Sequence, residues 1–189
     1  MTASAHGSPS QPRVVYLDAN ATEPLRPQAR EALLEAAELE GNPSSVHRAG
    51  RMARALLEQA RDTVAQAFEV APLNCIFTSG GTEANVLAMH GLGHGRRFLV
   101  GATEHDAVRK GAPAGADALA ASDVPAFVWL MLANNETGVL HPVAEAATLC
   151  ARYGAHLHVD AVQAAGRMVF SVPQSGVGSL TISGHKMGG

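Results

Sequence analysis

The apolar residues of this chain follow two periodicities. Short runs that are almost entirely apolar predict five strands, at residues 75–78, 97–100, 126–132, 156–159 and 179–182. Apolar residues that recur every three or four positions predict helices at residues 26–39, 45–68 and 142–153, and a further helix after Gly81. Apolar strands separated by helices are typical of a parallel sheet covered on both faces. The pattern therefore predicts an α/β domain with a mostly parallel sheet flanked by helices.

Glycine and polar residues directly follow three of the predicted strands. Gly80 to Thr82 come after the first strand, Asp160 after the fourth, and the run from Ser183 to Lys186 after the fifth. Ligands of parallel sheets bind at the carboxyl ends of the strands. The pattern therefore predicts that these residues meet at one edge of the sheet.

Composition and charge narrow the class of protein. The 189 residues suit one domain, and a net charge of −3 with interspersed acids and bases provides no basic stripe for a nucleic acid or a membrane surface. No apolar run reaches the roughly 20 residues of a membrane span. Residues 1–13 are small and polar, without the apolar stretch of a signal peptide, and predict a loose N-terminal arm. We therefore expect a cytoplasmic protein with no nucleic-acid or membrane partner.

The two cysteines are predicted to pack as small apolar side chains. Cys75 falls inside the first predicted strand, and Cys150 lies on the apolar side of a predicted helix with Val143, Ala146 and Leu149. Two cysteines in such positions do not indicate a disulfide framework.

Asp160 and Lys186 together match the chemistry of pyridoxal phosphate. A lysine amine bonds to the aldehyde of this cofactor as a Schiff base, and a carboxylate keeps its pyridine nitrogen protonated so that the ring can accept electrons. Each residue alone has an ordinary interpretation, the lysine on a solvated surface and the aspartate as a helix N-cap. Their shared position directly after a strand is what favours the cofactor.

Further motifs carry a resemblance to a known family. They occur in order at residues 16–22 (YLDANAT), 41–47 (GNPSSVH), 78–85 (TSGGTEAN), 103–105 (TEH) and 133–138 (ANNETG), ahead of 160–163 (DAVQ) and 183–186 (SGHK). Together they resemble the cysteine desulfurases of the class V aminotransferase group over nearly the whole chain. The resemblance implies pyridoxal phosphate as cofactor and the large domain of an aspartate aminotransferase-like transferase.

The resemblance also implies roles for individual residues. Lys186 would carry the cofactor, and His105 would stack on its ring and share proton transfers with Lys186, for which an imidazole with a pKa near neutrality is suited. Asp160 would pair with the pyridine nitrogen and Gln163 would hydrogen-bond the phenolic oxygen. Asn135 would lie near that oxygen and the substrate carboxylate. Without the motif, His105 would be a loop histidine and Asn135 part of an ordinary turn.

Four more residues are implied as phosphate contacts: Gly81, Thr82, Ser183 and His185. A glycine pair that opens a helix brings backbone amides and the helix dipole to an anion, and the Thr82 hydroxyl adds a donor. In isolation the same pair would be an ordinary turn with a threonine N-cap. No metal site is predicted, since His156 and His158 share a strand face but suit a core or edge role.

The implied reaction is transfer of sulfur from L-cysteine to an enzyme cysteine as a persulfide, with release of alanine, for iron–sulfur cluster or thio-cofactor synthesis. Family members are homodimers and pass sulfur to acceptor or scaffold proteins, so the same partners are implied here, with the segment 41–47 near the dimer border. The same cofactor frame also serves selenocysteine lyases and other class V enzymes, which stay open as alternatives.

The sequence departs from the family pattern in two places. Family members continue beyond the cofactor lysine into a small C-terminal domain with the catalytic cysteine, whereas this sequence has three residues after Lys186. Residues 106–133 form a shorter segment than the family usually has, and an Ala- and Gly-rich stretch at 111–122 predicts a loop. We therefore expect residues 14–189 to be a partial large domain that is inactive alone, with an inactive cofactor-binding remnant as the second alternative.

Overall fold

The computed structural model describes residues 14–110 and 125–189, which contain one four-stranded sheet. Its strands are β1 (Arg97–Val100), β2 (Ala126–Met131), β3 (His156–Asp160) and β4 (Ser179–Thr181). Neighbours pair in sequence order, and every pair is parallel. The described helices are α1 (Pro27–Ala37), α2 (Arg48–Ala67), α3 (Gly81–Leu92), α4 (Asp106–Arg109), α5 (Val143–Arg152) and α6 (Val172–Ser175). The predicted α/β class with a parallel sheet is confirmed.

The two faces of the sheet pack against different helices because side chains alternate along each strand. On one face, Phe127 and Trp129 of β2 pack with Met89 of α3 and Val108 of α4. The opposite face is a second cluster built on β3 and α5, whose buried members include Leu157, Val159, Val143, Ala147 and Cys150. The sheet is thus covered on both sides, as apolar parallel strands require.

The histidines of β3 belong to the core. His158 is 1% exposed, and its ring centroid lies 3.9 Å from that of Trp129. His156 Nε2 and His158 Nδ1 both lie 2.8 Å from the Ser179 hydroxyl. Burial, and to a lesser degree His156, lowers the pKa of His158 to about 3, so this ring is neutral. Within residues 14–110 and 125–189 no cluster of three or more histidine, cysteine or acidic side chains could hold a metal ion.

The predicted strand at residues 75–78 is wrong. Cys75 has extended backbone angles, but this stretch pairs with no strand among the described residues. Ile76 is 67% exposed and Phe77 44% exposed, and Cys75 is only partly buried rather than in a strand core. An apolar run is a strand only where a second strand supplies hydrogen bonds.

Other details depart less from the prediction. Helix α2 begins at Arg48 rather than residue 45, because the His47 ring caps it by accepting the Gly50 N–H at 3.3 Å. Cys150 is buried on α5 as predicted, but Leu149 is 55% exposed. The predicted N-terminal arm and the loop at 111–122 lie outside the described residues. In the described part of the chain, no helix combines the length and apolar character needed to cross a bilayer.

Leu157 and Leu149 should differ clearly in their contribution to the stability of the fold. Leu157→Ala removes a side chain that is 2% exposed between the sheet and α5, so the free energy of unfolding should fall by about 2–5 kcal/mol. Leu149→Ala, on the solvent side of α5, should change it by no more than about 0.5 kcal/mol. Urea unfolding of both variants measures this contrast, and equal losses would mean that α5 packs with a different face.

Candidate functional site

An open cleft of about 500 Å³ lies at the carboxyl edge of the sheet. Its walls come from the residues that follow the strands, the start of α3 and a turn at residues 18–22. The nine residues assigned to the cofactor from the sequence all line it: Gly81, Thr82, His105, Asn135, Asp160, Gln163, Ser183, His185 and Lys186. The volume is in the range of small-ligand sites.

Asp160 forms the buried end of the cleft. It is the last residue of β3 and is 6% exposed. Its Oδ2 accepts a hydrogen bond from Asn85 Nδ2 on α3 at 3.0 Å, and its Oδ1 accepts the Val162 N–H at 3.0 Å. Both carboxylate oxygens have a donor, which compensates for their burial. The carboxylate is therefore fixed in place where strand β3 ends.

The start of α3 lies next to Ser183 in the lining of the cleft. The first helical hydrogen bond runs from the Ala84 N–H to the Gly80 carbonyl at 3.1 Å, so the preceding amides lie in the turn that a helix leaves unsatisfied. A Cβ placed on Gly81 would lie 3.6 Å from the Ser183 Cβ. Glycine leaves that space open, the Ser183 hydroxyl borders it, and Thr82 lines the same cleft. This geometry suits an anion at the helix N-terminus.

Lys186 reaches across the cleft to the turn at residues 18–22. It ends a 3-10 turn that follows β4, and its Nζ donates to the carbonyl oxygens of Asn20 at 2.6 Å and Ala21 at 2.9 Å. The amine is thus held by two neutral acceptors and not by a carboxylate.

The surroundings of Lys186 lower the pKa of its amine. Burial is the main cause that lowers the pKa of Lys186 below its ordinary value, and the positive charge of Arg167 lowers it further. Asp18 and Asp160 oppose both effects. A lowered pKa increases the fraction of unprotonated amine, which is the form that attacks a carbonyl carbon.

Gln163 and Asn135 line the cleft with their amides bonded to neighbouring protein groups. Gln163 Nε2 donates to the Asn20 carbonyl at 2.9 Å, and Asn135 Nδ2 donates to Glu136 Oε1 at 2.6 Å. The Asn135 carbonyl accepts a hydrogen bond from Asn20 Nδ2 at 3.2 Å. The contacts to a cofactor that the sequence assigned to both residues stay predictions.

The two histidines of the cleft are both exposed. His105 caps α4, and its Nδ1 accepts the Ala107 N–H at 3.2 Å. That hydrogen bond requires an unprotonated Nδ1, so Nε2 is the atom that carries the ring proton. His185 Nδ1 lies 3.4 Å from the Thr22 hydroxyl, which places its ring beside the turn.

Comparison with known proteins shows the family of this chain. The model of the family described as Aminotransferase class-V matches residues 15–122 and 116–189. The chain belongs to this family. Its members are enzymes that depend on pyridoxal phosphate. The two matched pieces overlap at residues 116–122, inside the segment that is short by sequence.

Individual relatives agree with the family. The chain is 36% identical over 208 residues to an IscS-like cysteine desulfurase of Mycobacterium tuberculosis, covering 93% of this chain and 53% of that protein. It is 34% identical over 241 residues to a selenocysteine lyase of Bos taurus, covering 98% and 55%. A solved NifS-like protein of Rickettsia africae superimposes with a TM-score of 0.83 at 32% identity, covering 93% and 55%. The chain spans about half the length of these relatives.

The cleft fits the cofactor of this family. The cofactor is a small aromatic ring with a phosphate, an aldehyde and a basic nitrogen. The helix start at Gly81 provides amides for an anion, Asp160 provides a buried carboxylate, and Lys186 provides an amine whose pKa is lowered. These groups line one cleft, as a ligand with three different functional groups requires.

Sequence reasoning missed a second buried acid behind the cleft. Glu104 is 4% exposed, and its Oε1 accepts the Met131 N–H at 2.8 Å, while its Oε2 has no hydrogen-bond partner in the described part of the chain. Burial, together with the negative charge of Asp160, raises the pKa of Glu104 to about 8. Glu104 is therefore uncharged at neutral pH. Its only signal in the sequence is its place directly before His105.

Two further polar residues were also missed. Asn85, which bonds Asp160, lies four positions after Gly81 and hence on the same face of α3, and this spacing is a readable signal. Arg167 contacts the turn at residues 18–22, more than a hundred positions away, and no local pattern indicates such a contact. Neither cysteine lines the cleft, and burial raises the pKa of both thiols, which disfavours the reactive thiolate.

Glu104 predicts a pH dependence of stability that Glu104→Gln should remove. Glutamine retains the acceptor for Met131 and is neutral at every pH. The pKa of Glu104 is about 8 in the folded protein and 4.5 ordinarily. Its contribution to the free energy of unfolding is therefore full below about pH 4.5 and is lost as the pH rises to about 8. At about 1.4 kcal/mol per pKa unit the loss could reach about 5 kcal/mol. Urea unfolding at about pH 5 and about pH 9 should show a steeper decline for the parent protein than for the variant; parallel declines would contradict the protonated buried carboxyl.

Proposed function

We propose that this chain is the cofactor-binding part of a cysteine desulfurase that uses pyridoxal phosphate to remove sulfur from L-cysteine. The observation that carries the proposal is the convergence of Lys186, Asp160 and the start of α3 on one cleft. The relatives named as cysteine desulfurases support it.

Each wall of the cleft suits one part of the cofactor. The phosphate would lie beside Gly81, Thr82 and Ser183, and His185, an exposed residue of the same cleft, would be a further contact. Asp160, fixed by Asn85 and Val162, would hold the pyridine nitrogen in its protonated form. When bound, pyridoxal phosphate supplies an aldehyde for amino groups and a ring that stores electrons during bond cleavage at the substrate.

Lys186 and His105 are the residues proposed to move protons. The Lys186 amine, with its lowered pKa, would bond to the aldehyde and later accept or return a proton. His105 has its Nδ1 engaged with Ala107, so proton exchange would use Nε2. Both groups line the cleft.

The identity of the sulfur or selenium substrate rests on relatives alone. Similarity to selenocysteine lyases over 98% of the chain favours selenocysteine as a second candidate substrate. With cysteine as substrate, a thiol from outside the described cleft lining would be needed to accept the sulfur, because Cys75 and Cys150 do not line the cleft. Comparison of alanine release from cysteine and selenocysteine by the protein at its full length separates the two.

The remaining partners and the location belong to the same proposal. A homodimer is supported by exposed apolar side chains on the outer helices, since Leu33 and Leu34 of α1 are 63% and 51% exposed and Met52 of α2 is 49% exposed. Sulfur acceptor proteins, a role in iron–sulfur cluster assembly and a cytoplasmic location follow from the family resemblance. A sedimentation measurement of the full-length protein tests the dimer.

The first test is to locate the cofactor on the chain. After incubation with pyridoxal phosphate and borohydride reduction, peptide mapping should find the label on Lys186, because its amine lies in the cleft with a lowered pKa. Lys110, which is exposed and paired with Asp106 at 2.6 Å, is the internal control, since the sequence has only these two lysines. A label confined to Lys110 would overturn the assignment.

The second test concerns the carboxylate. Asp160→Asn keeps the shape of the side chain, and Asn85 can rotate its amide to bond the new one. Turnover of cysteine by the full-length protein should nevertheless fall by about 100-fold or more, because the pyridine nitrogen loses its counter-charge. Asp18→Asn, which removes an exposed carboxylate of the same cleft, should cost far less. Equal effects of the two substitutions would remove Asp160 from its proposed role.

A further inference from the structure

The turn at residues 18–22 forms one wall of the cleft without belonging to any helix or strand. Within it, the Ala21 N–H donates to the Asp18 carbonyl at 3.1 Å, and the Tyr16 hydroxyl donates to the same carbonyl at 2.8 Å. These contacts give the turn its shape. They do not attach it to the domain, so other groups must set its position over the cleft.

Arg167 provides much of that attachment. Its Nη1 donates to Asn20 Oδ1 at 2.8 Å, and its Nη2 donates to the Ala19 carbonyl at 3.1 Å and to Glu23 Oε2 at 3.2 Å. Nη1 also donates to Gln163 Oε1 at 3.1 Å, which orients the guanidinium from the domain side. A planar fork can hold several acceptors at once, whereas an ammonium group presents a single point charge.

The same turn holds the amine of Lys186. The Asn20 carbonyl accepts from Lys186 Nζ at 2.6 Å and from Gln163 Nε2 at 2.9 Å, and the Ala21 carbonyl accepts from Lys186 Nζ at 2.9 Å. A continuous set of hydrogen bonds therefore runs from Arg167 through the turn to Lys186. If the turn moved, both acceptors of the amine would move with it.

We propose that Arg167 is a positioning residue for Lys186, because it fixes the turn at residues 18–22 whose carbonyl oxygens hold the lysine amine in the cleft. That the amine is held in order to react with a carbonyl compound rests on the proposed function. The hydrogen bonds between Arg167, the turn and Lys186 do not depend on it.

The charges around Lys186 agree with this arrangement. Burial and, to a lesser degree, Arg167 lower the pKa of Lys186, while Asp18 and Asp160 raise it. Release of the turn would admit water to the amine and weaken the influence of Arg167. Both changes would return the pKa of Lys186 toward its ordinary value of 10.5.

The test uses the protein without cofactor and compares Arg167→Met, Arg167→Lys and the parent. Hydrogen exchange of the Glu23 amide reports the docking of the turn, because this N–H donates to the His185 carbonyl at 2.8 Å. Its protection should fall by about tenfold or more in Arg167→Met, the scale of one charge-assisted hydrogen bond. Arg167→Lys should resemble Arg167→Met, since lysine keeps the charge without the fork.

A second readout follows Lys186 itself. The pH dependence of reductive methylation, mapped on the two lysines, should shift upward for Lys186 in Arg167→Lys, which keeps the charge and removes the fork, and stay unchanged for Lys110. Arg152→Met is the matched control, because Arg152 lies over the Tyr153 ring and outside the cleft lining. Unchanged Glu23 protection in Arg167→Met would overturn the proposal, whatever the Lys186 profile of that variant, because loss of the Arg167 charge alone moves the profile.

The outcomes also separate this inference from the proposed function. A loosened turn together with a cofactor label on Lys110 would retain the positioning role and reject the cofactor assignment. A cofactor label on Lys186 together with unchanged Glu23 exchange in Arg167→Met would retain the cofactor assignment and reject the positioning role. If Arg167→Met does not fold, Arg167→Lys still decides, because parent-like exchange at Glu23 in that variant would show that the fork is not needed.

Discussion

The hydrogen bonds of Asp160 are the constraint on which the site depends. A carboxylate that is 6% exposed is stable only when donors replace water, and here one donor comes from α3 and the other from the backbone two residues on. The Asn85 contact fixes α3 against the end of β3. Because Gly81 and Thr82 belong to the same helix, that contact also sets where the helix N-terminus opens. One buried carboxylate therefore fixes the start of α3 relative to the end of β3.

Much of the sheet could be predicted from the sequence, because apolar runs report burial on both faces. Strands β1 to β4 lie within one residue of the predicted bounds. The run at residues 75–78 has the same composition, but its exposed Ile76 and Phe77 have no pairing strand or covering layer among the described residues. The apolar face of α2, with Met52 49% exposed, is a similar case. A pattern indicates which side chains can be buried, whereas burial depends on what lies opposite them.

The site was predictable where chemistry is encoded in short motifs. Asp160 ends β3 and Lys186 comes shortly after β4, and a parallel sheet necessarily brings such positions to one edge. Gly81 reaches the same cleft as the first residue of α3, although the strand predicted before it does not form. Glu104 and Arg167 were not predictable in this way. Their importance comes from a buried environment and from contacts with distant segments, which leave no period or spacing in the sequence.

Glu104 and Asp160 illustrate how two acids can share one end of a cleft with a single negative charge. Asp160 accepts hydrogen bonds from a side-chain amide and a backbone amide, whereas Glu104 accepts one backbone hydrogen bond at Oε1 and its Oε2 has no partner among the described residues. The negative charge of Asp160 then adds to burial in keeping Glu104 protonated. The protonated acid is thus the one outside the cleft lining, and the acid with two donors is the one that lines the cleft. An ionised Glu104 behind Asp160 would also attract the positive charge of a ligand. Because Glu104 is neutral, Asp160 is the acid that would attract that charge.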